Sequence, residues 1–120
     1  MIIAAFAAIA VQAAPADLAG SWDVSLYFSA DAPPSTTVMV LDPNEDGSLA
    51  GRFYGSPFSA ARFAEANGDV AFTAMTEDSS GAYLHSGRLA EDGRIEGQTL
   101  SVGRDFLMLW TAQRREEPAP

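Results

Sequence analysis

Turn-forming residues recur at short intervals along this chain, and they leave no room for long helices. The clusters are Asp46-Gly47, Gly55-Ser56-Pro57, Asn67-Gly68, Ser80-Gly81, Asp92-Gly93 and Gly103-Arg104-Asp105. Asn-Gly and Asp-Gly suit the type I′ hairpin, in which both central residues take φ > 0. After residue 20 no stretch keeps an i, i+3, i+4, i+7 apolar face for three turns. The segments between turns instead alternate apolar and polar residues. They predict strands at about 20–29, 36–42, 48–54, 58–66, 69–76, 82–90, 94–102 and 106–114.

Eight short strands joined in order by tight turns predict an all-β fold: an antiparallel up-and-down (meander) β-barrel, with a two-sheet sandwich as the alternative. Alternation assigns the faces. Trp22, Val24, Leu26 and Phe28 share one side of the first strand, and Phe106, Met108, Trp110 and Ala112 one side of the last. By the same parity the inner set includes Leu26, Phe53, Phe72, Tyr83, Leu89 and Ile95, interleaved with Gly51, Ala74, Gly87 and Gly97. The last strand is apolar on its other side too, through Leu107 and Leu109, so its outer face is expected to be covered. Residues 15–19 suit one helical turn plugging an end. The barrel domain is expected over 15–115, followed by a flexible, proline-ended tail at 116–120.

Residues 1–14, MIIAAFAAIAVQAA, are apolar except Gln12 and carry no charge. A run this short falls below the roughly 20 residues of a membrane span and matches a secretory signal peptide ending in small residues. A periplasmic or secreted location follows, without stable membrane insertion of the mature protein. The chain has 16 acidic residues against 7 basic ones, all arginine, for a formal charge of −9. That balance repels phosphate backbones and disfavours nucleic acid as a partner. With no cysteine and one histidine, disulfides, thiolate zinc sites and multi-histidine metal sites are excluded. No nucleophile elbow, phosphate loop or dinucleotide fingerprint occurs, and no cofactor is implied.

The candidate ligand contacts are Trp22, Phe53, Phe72, Tyr83, His85 and Trp110, an aromatic inner face interrupted by glycines. Eight strands leave a lumen just wide enough to be filled by side chains or to hold one small ligand, and both outcomes stay open here. Tyr83, His85 and Gly87 share one strand face. An inward His85 is desolvated and neutral, able to bond a ligand group or a neighbour, or to act as a base. Residues 42–47 (Asp-Pro-Asn-Glu-Asp-Gly) match the first half of a calcium loop, but Phe53 stands where the bidentate glutamate belongs, so a hairpin turn is the better reading. No catalytic or metal residue is assigned.

Gly20-Ser21-Trp22 opens the first strand, and Trp110-Thr111-Ala112-Gln113-Arg114 closes the last. Together with Gly47-Ser48-Leu49-Ala50-Gly51-Arg52-Phe53 and Arg94-Ile95-Glu96-Gly97, this resembles small bacterial lipocalin-like (calycin-type) barrels. The resemblance implies that Arg114 packs on Trp22 and that a small hydrophobic ligand binds in the lumen. Avidin-type proteins share the Gly-x-Trp start. Periplasmic inhibitors of bacterial metalloproteases are similar small barrels whose N-terminal segment enters the protease cleft. That likeness implies a protein partner for residues 14–18, although the family's cysteine pair is missing. The expectation is a non-catalytic barrel binding a small hydrophobic ligand, with a protein-interaction module as the alternative. An enzyme using Tyr83 and His85 comes third.

Overall fold

A computed structural model describes residues 13–116. The expected leader, apart from Ala13 and Ala14, and residues 117–120 of the expected tail lie outside the described residues. A single 3₁₀ turn, Pro15–Leu18, precedes nine strands: β1 (Gly20–Tyr27), β2 (Ser35–Pro43), β3 (Leu49–Phe53), β4 (Ser56–Pro57), β5 (Ala60–Ala66), β6 (Asp69–Asp78), β7 (Gly81–Leu89), β8 (Ile95–Ser101) and β9 (Phe106–Arg114). All nine form one antiparallel sheet in the order β4-β3-β2-β1-β9-β8-β7-β6-β5. Every neighbouring pair is consecutive in sequence except β1 and β9, so the expected meander is present.

The expected count of eight strands becomes nine, and the ladder does not run around a closed ring. The reason lies at residues 56–66. Ser56 and Pro57 pair with Phe53 and Arg52 of β3, and Phe58 N–H donates to Gly51 O at 2.9 Å. The next residue, Ser59, donates instead to Met75 O of β6 at 2.8 Å. What reads in sequence as one strand over 58–66 therefore changes partner between Phe58 and Ser59, leaving one end of the sheet and joining the other. The two ends meet at a single bridge, Ser48 with Arg62, beside a bond from Phe63 N–H to Gly47 O at 3.1 Å.

Turn chemistry explains the hairpins. Asn67 and Gly68 take φ 55° and 81°, the two positive angles of a type I′ turn. Tyr54 and Gly55 do the same at 53° and 81°, so an aromatic residue occupies a left-handed position between β3 and β4. The half calcium motif is a turn as expected: Asp46 Oδ1 accepts from Ser48 N–H at 2.9 Å and from its hydroxyl at 2.6 Å. These bonds hold the Asp46 carboxyl below its ordinary range. No cluster of metal-ligating side chains occurs among the described residues.

The alternating residues bury one face. Trp22, Val24, Leu26, Met39, Leu41, Phe53, Val70, Phe72, Ile95 and Trp110 are all but inaccessible to solvent. One end of this face is shut. Leu18 of the 3₁₀ turn is fully buried, and its carbonyl accepts from Trp22 Nε1 at 2.9 Å. Arg114 lies 4.5 Å over the Trp22 ring and donates to the carbonyls of Asp17 and Ala19. A guanidinium can serve an aromatic face and two backbone acceptors at once because its charge is delocalised over a planar fork.

Across the middle of the face runs the register row Phe72–Gly87–Gly97–Trp110. The two large rings lie over the two glycines. A Cβ on Gly87 falls 2.6 Å from Phe72, and one on Gly97 falls 2.2 Å from the Trp110 indole. These glycines are needed for clearance. Gly97→Ala is expected to cost about 2 kcal/mol, typical of overpacking, and to lower the melting temperature by several degrees. Thermal unfolding followed by circular dichroism checks this; an unchanged midpoint contradicts the packing account.

Candidate functional site

At the end of the sheet opposite the 3₁₀ turn, the inner face opens into a cavity of about 240 Å³. Its walls come from the end of β1 (Leu26, with Phe28 beyond it), β3 and the following turn (Phe53, Tyr54), Ser56 of β4, β6 (Thr76, Asp78), β7 (Tyr83, His85), Thr99 of β8, and the start of β9 (Phe106, Met108). Arg104, in the turn before β9, stands at the rim with Asp78, and its guanidinium donates to Ser80 Oγ at 3.1 Å. The site is a largely apolar chamber with one acid and one base at its entrance.

The deep wall is polar and linked by hydrogen bonds. His85 is 3% exposed, with Nδ1 2.8 Å from Thr99 Oγ1 and Nε2 2.9 Å from Thr76 Oγ1. Trp110 Nε1–H donates to the same Thr99 oxygen at 3.0 Å. Strand register makes this possible: Thr99 pairs with His85 across β7 and β8, and the row Tyr83–Thr76 lies two residues along β6 and β7, on the same face. Phe53 stacks on the imidazole, ring centroids 4.1 Å apart at 20°, while Tyr83 is parallel to it at 6.3 Å. Burial pushes the His85 pKa down to about 4, so the ring is neutral near pH 7. With both nitrogens engaged and little basicity, His85 connects two threonines; it is not arranged as a general base for Tyr83.

The residues expected to contact a ligand separate into two groups. Phe53, Tyr83 and His85 line the cavity. Trp22 lies at the shut end beneath Arg114, and Phe72 and Trp110 cover the glycine row, so these three pack the core instead. Thr76 and Thr99 were missed although both sit at inward parity, at buried positions flanking His85 in the pairing of β6, β7 and β8. Enlarging Gly51 or Gly97 disturbs the sheet before it reports on the cavity: a Cβ on Gly51 falls 1.9 Å from Val40 O.

The pH dependence of folding follows from His85. The unfolded chain titrates near 6.5 and the folded ring near 4. Between those values the unfolded state binds the extra proton, so stability from the neutral ring is complete above pH 6.5 and is lost as pH falls toward 4. The linkage amounts to about 3 kcal/mol over that window. His85→Gln is expected to flatten this part of the profile. Urea unfolding of both proteins across the window measures it, and equal slopes contradict it.

Comparison with protein-family models, with curated proteins and with solved structures gave no match.

Proposed function

We propose that this protein binds a small, mostly apolar molecule without transforming it, in the cavity lined by Phe53, Tyr83, Phe106 and Met108. We read the sheet as the wall of a lipocalin-like barrel, and the expected leader sends it to the periplasm or outside the cell. The observation that carries the reading is the asymmetry of the inner face. At one end Leu18, Trp22 and Arg114 pack the core, and the recess of about 460 Å³ beside Asp17, Leu89 and Arg114 is rimmed by polar turn residues; the other end keeps about 240 Å³ beside buried, apolar side chains. Most drug-sized pockets are about 300–1,000 Å³, and a benzene-sized cavity is about 150 Å³. The fitting ligand therefore has a single ring or a short chain.

Native mass spectrometry of the protein from its own secretory compartment tests this. A stoichiometric small molecule is expected on the wild type and at lower occupancy on Met108→Trp, whose larger side chain takes up part of the chamber. Bare masses for both, together with no chemical-shift response of the wild type to benzene-sized probes, overturn the reading.

A protein-interaction role is the second reading, and the outer face favours it. Leu84, Leu100 and Leu107 are register neighbours across β7, β8 and β9, and Leu109 pairs with Tyr27 of β1; all five are 37–58% exposed. Residues 14–18, the candidate inhibitory segment, contain the 3₁₀ turn Pro15–Leu18, which is held against the core through Leu18. If the outer stripe docks a second copy, sedimentation shows a concentration-dependent mass that Leu100→Glu/Leu107→Glu abolishes. A constant monomer mass in the wild type counts against self-association.

A further inference from the structure

The polar wall of the cavity has one hydroxyl proton to spare, and the count does not depend on the histidine tautomer. Trp110 Nε1 can only donate, so Thr99 Oγ1 accepts there. If His85 carries its proton on Nε2, that nitrogen donates to Thr76, and the Thr99 hydroxyl donates to Nδ1. The Thr76 proton then remains. If the proton is on Nδ1, Thr99 accepts twice, Thr76 donates to Nε2, and the Thr99 proton remains. Both threonines line the cavity, and neither hydroxyl meets another acceptor among the described residues.

A second observation points to the same place. Ser101 is 1% exposed, and its hydroxyl has no hydrogen-bond partner among the described residues. It sits on the inner face of β8, between Tyr83 and Phe106 in the register, and both of those residues line the cavity. Buried hydroxyls are almost always satisfied, because leaving one unpaired costs free energy comparable to a lost hydrogen bond. The inner face at this end therefore holds two hydroxyl protons without acceptors among the described residues, and the one on the Thr76–Thr99 pair borders the chamber.

Charge narrows the choice further. The deep wall is uncharged, and Asp78 and Arg104 at the rim oppose one another. An anionic head group buried there loses its hydration and gains no net countercharge. A neutral oxygen acceptor loses much less. A carbonyl oxygen accepts without needing to donate, which matches the waiting hydroxyl proton of the Thr76–Thr99 pair.

We propose that the cavity selects small neutral carbonyl compounds, a ketone, aldehyde or ester on a single ring or short chain, whose oxygen accepts from the Thr76–Thr99 pair. This rests on the cavity being a ligand site, as proposed above. The test compares near-isosteric probes on the full chain by calorimetric titration: acetophenone, ethylbenzene and benzoate. Acetophenone is expected to bind about tenfold more tightly than ethylbenzene, the magnitude of one hydrogen bond. It should also outbind benzoate, and its carbonyl stretch in the bound state should shift to lower frequency than in an apolar solvent. In Thr76→Val/Thr99→Val, confirmed folded by its melting transition, the preference over ethylbenzene should fall to about twofold or less. Equal binding of acetophenone and ethylbenzene to the wild type, or tighter binding of benzoate, overturns the carbonyl assignment and leaves the ligand site standing. Binding of none of the three overturns both.

Discussion

The contact between the Trp110 indole and the bare backbone of Gly97 organises the inner face. With no Cβ in the way, the ring lies flat over β8, and its N–H comes within reach of Thr99. Thr99 then fixes one nitrogen of His85, and Thr76 fixes the other. The imidazole so held presents a flat surface on which Phe53 stacks. Core packing and the polar wall are consequently one construction. The indole that fills the middle of the sheet also supplies the first donor of the hydrogen-bond chain that borders the cavity.

The two ends of the face are treated differently. At one, Arg114 draws the 3₁₀ turn over Trp22 by holding two of its carbonyls, and Leu18 seals the remaining apolar surface. At the other, Tyr54, Asp78 and Arg104 stand around the cavity at the ends of the strands. Aromatic content alone does not decide between a filled and an open interior. Here the largest rings, Trp22 and Trp110, are spent on the packed part, and smaller residues such as Thr76, Thr99 and Met108 border the free volume.

Much of this was legible in the sequence because it depends on local rules. Asn67-Gly68 specifies its hairpin by the φ values it tolerates, and strict alternation places Trp22, Phe72, His85 and Trp110 on the inner face without knowledge of the partner strands. What could not be read depends on register. The exchange of partners between Phe58 and Ser59 leaves no local mark, because both residues suit a continuous strand. Tyr54 and Gly55 were obscured as a turn because the neighbouring Gly55-Ser56-Pro57 is itself turn-rich, and because tyrosine seldom adopts positive φ. Thr76 and Thr99 are ordinary strand residues until cross-strand pairing places them on either side of His85. The aromatic residues meant for a ligand were divided between core and cavity by distance along the strands, which alternation does not encode.

The change of partner at Phe58–Ser59 also bears on how the edges of the sheet are exposed. An open antiparallel sheet ends in two rows of unpaired amides and carbonyls that can template another chain. Here β5 meets the residue before β3 at the Ser48–Arg62 bridge, and the short β4 ends in Pro57, which has no N–H to offer. Part of the β5 edge is therefore covered by the chain entering β3. Strand addition from a neighbouring molecule at that point must first part the two, so the place where the ladder is incomplete is also where the fold guards itself against cross-β growth.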